Sequence, residues 1–371
     1  MMITRRGLIA GGASLLAAPA LGRDWKPACP YPVNASPDRL IRSTVGLRPF
    51  RPSGFRVERE ALGAKAIVHN YGHGGGGITL CWGTGKLAID LGLPGHAGPV
   101  AVIGSGAVGL ATARLCQEAG RQVTIYTAAL PPETTSNLAG GQWFPALTYA
   151  PAKASPAYLE QLMAASNYAY RRYQIMTGEA YGVRWMRNYY MDETPNDAMQ
   201  DSGLGAMMPQ ARTLSAEENP FPFPWVRQWD GMLIEPPRFL RAMLQDFHIA
   251  GGKVILRKLN DRTEIATLPE TLIFNCSGLG ARELVGDGEL IPIRGQLAIL
   301  EPQPEVDYAT ISPGGLYMFS RADGVILGGT HDDGEWDTTP DPEVTARILA
   351  GHQAVFSRMR CRPKGPRPLL S

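Results

Sequence analysis

The chain has 371 residues, 44% of them hydrophobic, enough to bury two domains or one large composite core. Its 36 basic and 34 acidic residues leave a net charge of +2, and no cationic run marks a nucleic-acid surface. Five cysteines, Cys29, Cys81, Cys116, Cys276 and Cys361, form no CxxC pair, which argues against a zinc ribbon and against a dense disulfide scaffold.

In chain order the first element is a targeting signal. Arg5 and Arg6 precede an apolar run from Gly7 to Leu16 and then Ala18-Pro19-Ala20, a small-residue cleavage pattern. This predicts a twin-arginine signal peptide over residues 1–20, with the Tat translocase as export partner and a periplasmic or secreted mature protein. The run falls short of the ~20 strongly apolar residues that a span needs, so no stable membrane anchor is expected. Residues 21–40 are rich in proline and read as an extended tether. Short strands follow in "IRSTVGLRPF", "FRVERE" and "AIVHNY". After the glycine-rich "HNYGHGGGG", the segment "ITLCWGTGKLAIDLG" reads as a helix ending near Gly92.

Residues 99–127, "PVAVIGSGAVGLATARLCQEAGRQVTIYT", read as strand, glycine loop, helix and strand, the start of a doubly wound α/β unit. The fingerprint Gly104-x-Gly106-x-x-Gly109 stands between strand and helix, where backbone N–H groups at the helix start can hold a pyrophosphate. The acid that usually ends the second strand is missing. Thr127, Ala128 and Ala129 stand there, so Thr127 or a backbone group is expected to serve the ribose. In residues 151–250, "PAYLEQLMAASNYAYRRYQIMTG" has helical spacing, which makes Tyr168, Tyr170 and Tyr173 packing residues. "PPRFLRAMLQDFHIAGGKVIL" then reads as helix, glycine stop and strand. His69 and His73 have the i, i+4 spacing of a metal pair but lie among glycines, so no metal site is expected. Neither GxxxxGK[ST] nor GxSxG occurs, which disfavours nucleotide hydrolysis and serine hydrolysis. "HDDGEWD" reads as a solvated turn.

The blocks "VIGSGAVGL", "PETTSNLAGGQWFPAL", "LIFNCSGLGARELVGDGELIPIRGQ", "YMFSRADGVILGGTHDDGEWD", "VGLRPFRPSGFRVERE" and "HNYGHGGGGITLCWG" together resemble the signatures of FAD-dependent D-amino-acid oxidases. In that family the GLRP and HNYGHGG blocks close the chain; here they precede the fingerprint. The resemblance therefore implies an α/β fold in circularly permuted order, a Rossmann-type FAD-binding domain plus a sheet-based substrate domain. The FAD-binding domain is expected over 41–150 with 251–285, the substrate domain over 151–250 with 286–345, and a C-terminal helix and tail over 346–371.

The same resemblance implies FAD as cofactor and oxidative deamination of an amino acid, with oxygen as acceptor. Gly104, Gly106, Ala107, Val108 and Gly109 are expected at the pyrophosphate. Gly74, Gly76, Gly77, Ile78 and Thr79 are expected beside the flavin, where side chains would obstruct it. Thr127, Thr134, Thr135, Gly141, Gln142, Trp143, Ser277 and Gly278 are expected elsewhere along the cofactor, with Leu259 near adenine. Arg321 resembles the substrate carboxylate clamp, although Asp323-Gly324 beside it also fits an arginine at a hairpin turn. Gly75 is expected against the flavin or the substrate amine. The family's active-site tyrosines are expected within "NPFPFPWVRQWDGMLIE", which has none. Trp225, Arg227 and Trp229 stand nearest, leaving open a bulky apolar substrate side chain or an acidic one met by Arg227. A dehydrogenase with another acceptor and a flavin-binding protein without turnover stay as alternatives. Permutation requires the helix near "PEVTARILAGHQAVFSRM" to end beside the strand that starts near Leu40. A Cys29–Cys361 disulfide is expected there, with the other three cysteines as buried thiols.

Overall fold

The computed structural model describes residues 29–196, 203–361 and 363; the signal-peptide expectation lies outside these residues. Its strands form two sheets. A six-stranded sheet is built from β2 (Arg56–Leu62), β3 (Lys65–Tyr71), β4 (Val100–Ile103), β5 (Val123–Thr127), β9 (Lys253–Leu256) and β10 (Leu272–Asn275). Its spatial order is β2-β3-β10-β4-β5-β9, with every neighbouring pair parallel except β2 against β3. The all-apolar "VAVI" of β4 has four buried residues, as expected of a central parallel strand covered on both faces.

The nine-stranded sheet has the order β1-β11-β14-β13-β12-β6-β8-β7, with β15 added against β11. Its members are β1 (Leu40–Phe50), β6 (Val183–Asp192), β7 (Arg212–Thr213), β8 (Trp225–Ile234), β11 (Ile291–Leu300), β12 (Tyr308–Ser312), β13 (Leu316–Arg321), β14 (Gly324–Gly328) and β15 (Asp332–Asp333).

Helices α1 (Gly77–Gly92), α2 (Ala107–Glu118), α3 (Pro156–Ile175) and α4 (Pro236–Ile249) form one layer, α1 packing on α2 and α3, and α2 on α4. Ser155 caps α3 by accepting from Tyr158 N, and Pro156 fits its first turn. Two short helices, α5 (Arg262–Ala266) and α6 (Ala281–Leu284), flank β10, and α7 (Pro342–Ser357) packs on β11, β13 and β14. Tyr173 is buried in the packing of α3, its hydroxyl donating to Ile78 O at 2.6 Å.

Two boundaries differ from the sequence reading. β1 joins the nine-stranded sheet by antiparallel pairing with β11, although it falls inside the 41–150 segment assigned to the cofactor-binding domain. Conversely α3 and α4, from the 151–250 segment, pack on the cofactor-binding side. Both follow from non-local pairing, which local periodicity does not encode. The expected disulfide is present: Cys29 and Cys361 are bonded with Cα atoms 5.9 Å apart, and Cys81, Cys116 and Cys276 are buried free thiols.

Candidate active site

A cavity of about 800 Å³ lies between the two sheets. One wall is formed where β4, β5 and β10 end, at Gly104, Thr127 and Cys276; this is the carboxyl edge at which parallel sheets bind ligands. The other wall comes from β1, β11 and β13 through Gly46, Arg48, Leu297, Tyr317 and Phe319. The two glycine-rich runs open onto the same cavity.

At the fingerprint end, Gly104 takes φ +100°, and a side chain there would stand 2.6 Å from Cys276 O. Gly106, Ala107, Val108, Thr127, Thr134, Thr135, Leu259, Ser277 and Gly278 all line the cavity. Thr127 occupies the place of the missing acid, its hydroxyl donating to Ala129 O at 2.7 Å and lying 3.0 Å from Ser105 Oγ. Gly109 faces the fingerprint turn instead: an added Cβ would overlap Gly104 O, so this glycine sets the approach of α2 to β4.

At the other end, Gly74, Gly75, Gly77, Ile78, Thr79, Gly141 and Gln142 line the cavity. The structure adds a second reason for these glycines. A Cβ on Gly74 would overlap Leu147 O, one on Gly75 would stand 2.8 Å from Ala146 O, and one on Gly76 would stand 2.5 Å from Thr148 Cγ2. At 74–76 the 146–148 segment crosses the run closely, and Gly76 does not line the cavity. His73 beside it is buried, and burial pushes its pKa down to about 3, so it is neutral, 2.8 Å from Thr84 Oγ1.

Besides Gly76 and Gly109, four further expected positions are not at the cavity: Arg321, Trp225, Trp229 and Trp143. Arg321 is buried with its fork engaged: Nε and Nη2 donate to the two carboxylate oxygens of Asp323 at 2.7 and 2.5 Å, and Nη1 donates to Ala139 O at 3.0 Å. It fixes the β13–β14 turn to the 139 segment. Trp225 and Trp229 lie along β8, whose far end meets the cavity wall through the Leu233–Gln142 bridge. At ~3.3 Å per residue they are ~26 and ~13 Å upstream of that bridge. Trp143 is buried against Tyr170, its ring turned away from the cavity.

Two arginines line the cavity, Arg257 beside Leu259 and Arg48 on the β1 wall. Arg48 Nη2 donates to Tyr317 Oη at 3.3 Å, while Nη1 is buried without a hydrogen-bond partner. β1 pairs Gly46 with Gly295 of β11, and a side chain at Gly295 would overlap the Arg48 guanidinium. Tyr317 stacks on Phe319 with ring centroids 5.1 Å apart. An unpaired guanidinium nitrogen beside a phenol is a receptor for a carboxylate. The sequence reading took Arg321 as the clamp and named neither Arg48 nor Tyr317. The alternation Tyr317, Phe319 along β13 and Gly46, Arg48 along β1 is the signal that could have found them.

FAD fits this site. The cavity is long enough to run from the fingerprint to the second glycine run, small residues line it at both ends, and the start of α2 opens into it. Among the described residues no cluster of three metal-ligating side chains occurs.

Comparison with known proteins agrees. The chain matches the family described as FAD dependent oxidoreductase over residues 27–91 and 99–369. It is 33% identical over 258 residues to a D-amino-acid oxidase of Streptomyces coelicolor, covering 68% of this chain and 76% of that protein. It is 29% identical over 265 residues to human D-aspartate oxidase, covering 68% and 74%. Among solved structures, glycine oxidase from Bacillus cereus superposes with a TM-score of 0.53 at 16% identity, covering 70% of this chain and 78% of that one, a likeness of fold. The chain belongs to the family of FAD-dependent oxidoreductases, binds FAD and acts on CH–NH2 groups.

Proposed function

We propose that the protein oxidises a D-amino acid to the 2-oxo acid and ammonia, with oxygen reduced to hydrogen peroxide. The observation that carries this is the unpartnered Arg48 Nη1 beside Tyr317 in the cavity. The substrate α-carboxylate accepts from Arg48 and from the Tyr317 hydroxyl, which fixes the Cα–H against the glycine run at Gly75. When bound, FAD accepts the two electrons of that bond, and the imino acid left behind takes up water and releases ammonia. Phe319, Phe144 and Leu138 supply apolar walls that limit water around the reacting carbon. Gly104, Gly106, Ala107, Val108, Thr127, Thr134, Thr135, Leu259, Ser277 and Gly278, which line the cavity, hold the dinucleotide.

The test is anaerobic loss of the oxidised-flavin colour on adding D- and L-amino acids, followed by air. Loss with D-amino acids that reverses in air, with peroxide formed, supports the reading. Loss that reverses only with an added dye supports a dehydrogenase, and no loss with any amine overturns amine oxidation.

The reading extends to chain order and location. The family match is broken at residues 92–98, at the passage from α1 to β4, and the bridged Cys29–Cys361 pair brings residues 29 and 361 together at the other end of the chain. Both support a circular permutation. The disulfide and the Arg5-Arg6 signal support export to an oxidising compartment.

A further inference from the structure

Among the described residues, two that are not glycine have a left-handed backbone: Leu147 (φ 54°) and Gln210 (φ 60°). Gln210 does not line the cavity; Leu147 does. For a bulky residue this conformation is costly and persists only where the surroundings fix it. Here they do. Thr79 Oγ1 donates to Phe144 O at 3.1 Å, Gly75 N to Leu147 O at 3.0 Å, Tyr158 Oη to Thr148 O at 3.3 Å, and Ala150 N to Pro52 O at 2.8 Å. Four bonds along seven residues hold one strained leucine.

The strain is not offset by burying the side chain, because Leu147 is 44% exposed. A Cβ on Gly75 would stand 3.2 Å from Leu147 Cβ, so the side chain begins beside the glycine that faces the substrate. Leu138, Ile311 and Phe319 are further apolar members of the lining. Beside Arg48 on this wall stands His331, whose Nε2 lies 3.1 Å from Asp333 Oδ1.

We propose that Leu147 is a specificity-determining residue, its side chain forming the apolar wall against which the substrate's own side chain packs. The assignment rests on the amino-acid reading above and deepens it: the substrate class is amino acids with apolar side chains.

The test compares the FAD-loaded wild type with Leu147→Gly, which removes both side chain and strain. Straight-chain carboxylates from acetate to hexanoate are titrated against the flavin absorbance, and kcat/KM is measured for D-alanine and D-leucine. Wild-type affinity should rise with chain length. In Leu147→Gly, acetate binding should stay within about threefold and hexanoate binding should weaken by ~10-fold, with the D-leucine to D-alanine ratio falling by a similar factor. The thermal midpoint and FAD content should be unchanged or higher. Equal chain-length dependence in both proteins overturns the assignment and leaves the amino-acid reading standing. A lower midpoint with lost FAD also overturns it, because Leu147 would then only hold the loop. A wild type that binds carboxylates but is reduced by no amino acid overturns the amino-acid reading, and the carboxylate series still judges the wall.

Discussion

Replacing Arg48 by alanine separates catalytic from structural cost. Two charged interactions with the substrate carboxylate would be lost, one at the free Nη1 and one at Nη2, which also supports Tyr317. At ~1.5–3 kcal/mol for a hydrogen bond to a charged group, the pair is worth ~3–6 kcal/mol, or ~10²–10⁴-fold in kcat/KM. Arg48→Lys keeps the charge without the planar fork and should fall between the two. Stability should move the other way. A guanidinium nitrogen buried without a partner is destabilising, so Arg48→Ala should unfold at the same temperature as wild type or higher. The assay is anaerobic flavin reduction by D-amino acids in rapid mixing, with the flavin-to-protein absorbance ratio as a check on FAD content. A kcat/KM within threefold of wild type, at full FAD content, would remove Arg48 from the substrate site.

Arg321→Ala should act on the fold rather than on chemistry, losing about 1–2 kcal/mol because its buried fork joins Asp323, itself half-exposed, and Ala139 O; a ~10²-fold loss of turnover per bound FAD would restore it to the site. His352 is buried with Nε2 donating to Gly328 O at 3.1 Å, and burial lowers its pKa from 6.5 to about 4. Below pH ~6.5 the unfolded histidine gains a proton that the folded one resists, so its contribution to stability falls by up to ~1.4 kcal/mol per pH unit between about 6.5 and 4. His352→Gln should flatten the dependence of the thermal midpoint over that window, and parallel curves would contradict the assignment.

What was legible in the sequence was local. Residues 99–127 announce β4, α2 and β5 because strand, fingerprint and helix are contiguous, and α1 begins at Gly77 where the glycine run stops. The substrate wall was not legible, because it depends on register between distant strands. Arg48 meets the cavity only because Gly46 pairs with Gly295, and Tyr317 only because β13 lies two strands from β11. Arg321 has the same strand parity as Tyr317 and Phe319, so alternation alone could not separate them; its distinction is Asp323, two residues on, which takes up the fork. The glycines at 74–76 stand out in the sequence, but nothing local says that residues 146–148 cross them.

Register also bears on chain order, and it yields a last prediction. No strand pairing in the cavity depends on the covalent link between α1 and β4, which is the exposed segment Leu93–Pro99. The opposite junction is held by the Cys29–Cys361 bridge, with Arg39 O accepting from Glu301 N at 2.9 Å and Ser43 Oγ lying 2.8 Å from Thr345 Oγ1. Consecutive Cα atoms are ~3.8 Å apart, so one added residue can span the 5.9 Å between Cys29 and Cys361. A chain that starts at Gly98, runs to residue 361, continues through one glycine into residue 29 and ends at Leu93 should therefore fold to the same sheets, with both cysteines changed to serine. It should bind FAD with a dissociation constant within about tenfold of the original, because the cavity walls are unchanged. The new peptide link replaces the constraint of the disulfide, whose removal alone typically costs ~2–4 kcal/mol. The same double serine change in the original order should lower the thermal midpoint, and the rearranged chain should recover it. A rearranged chain that is soluble but binds no FAD would show that the order of β1, β3 and α1 before the fingerprint is required by this fold, and would refute the permutation.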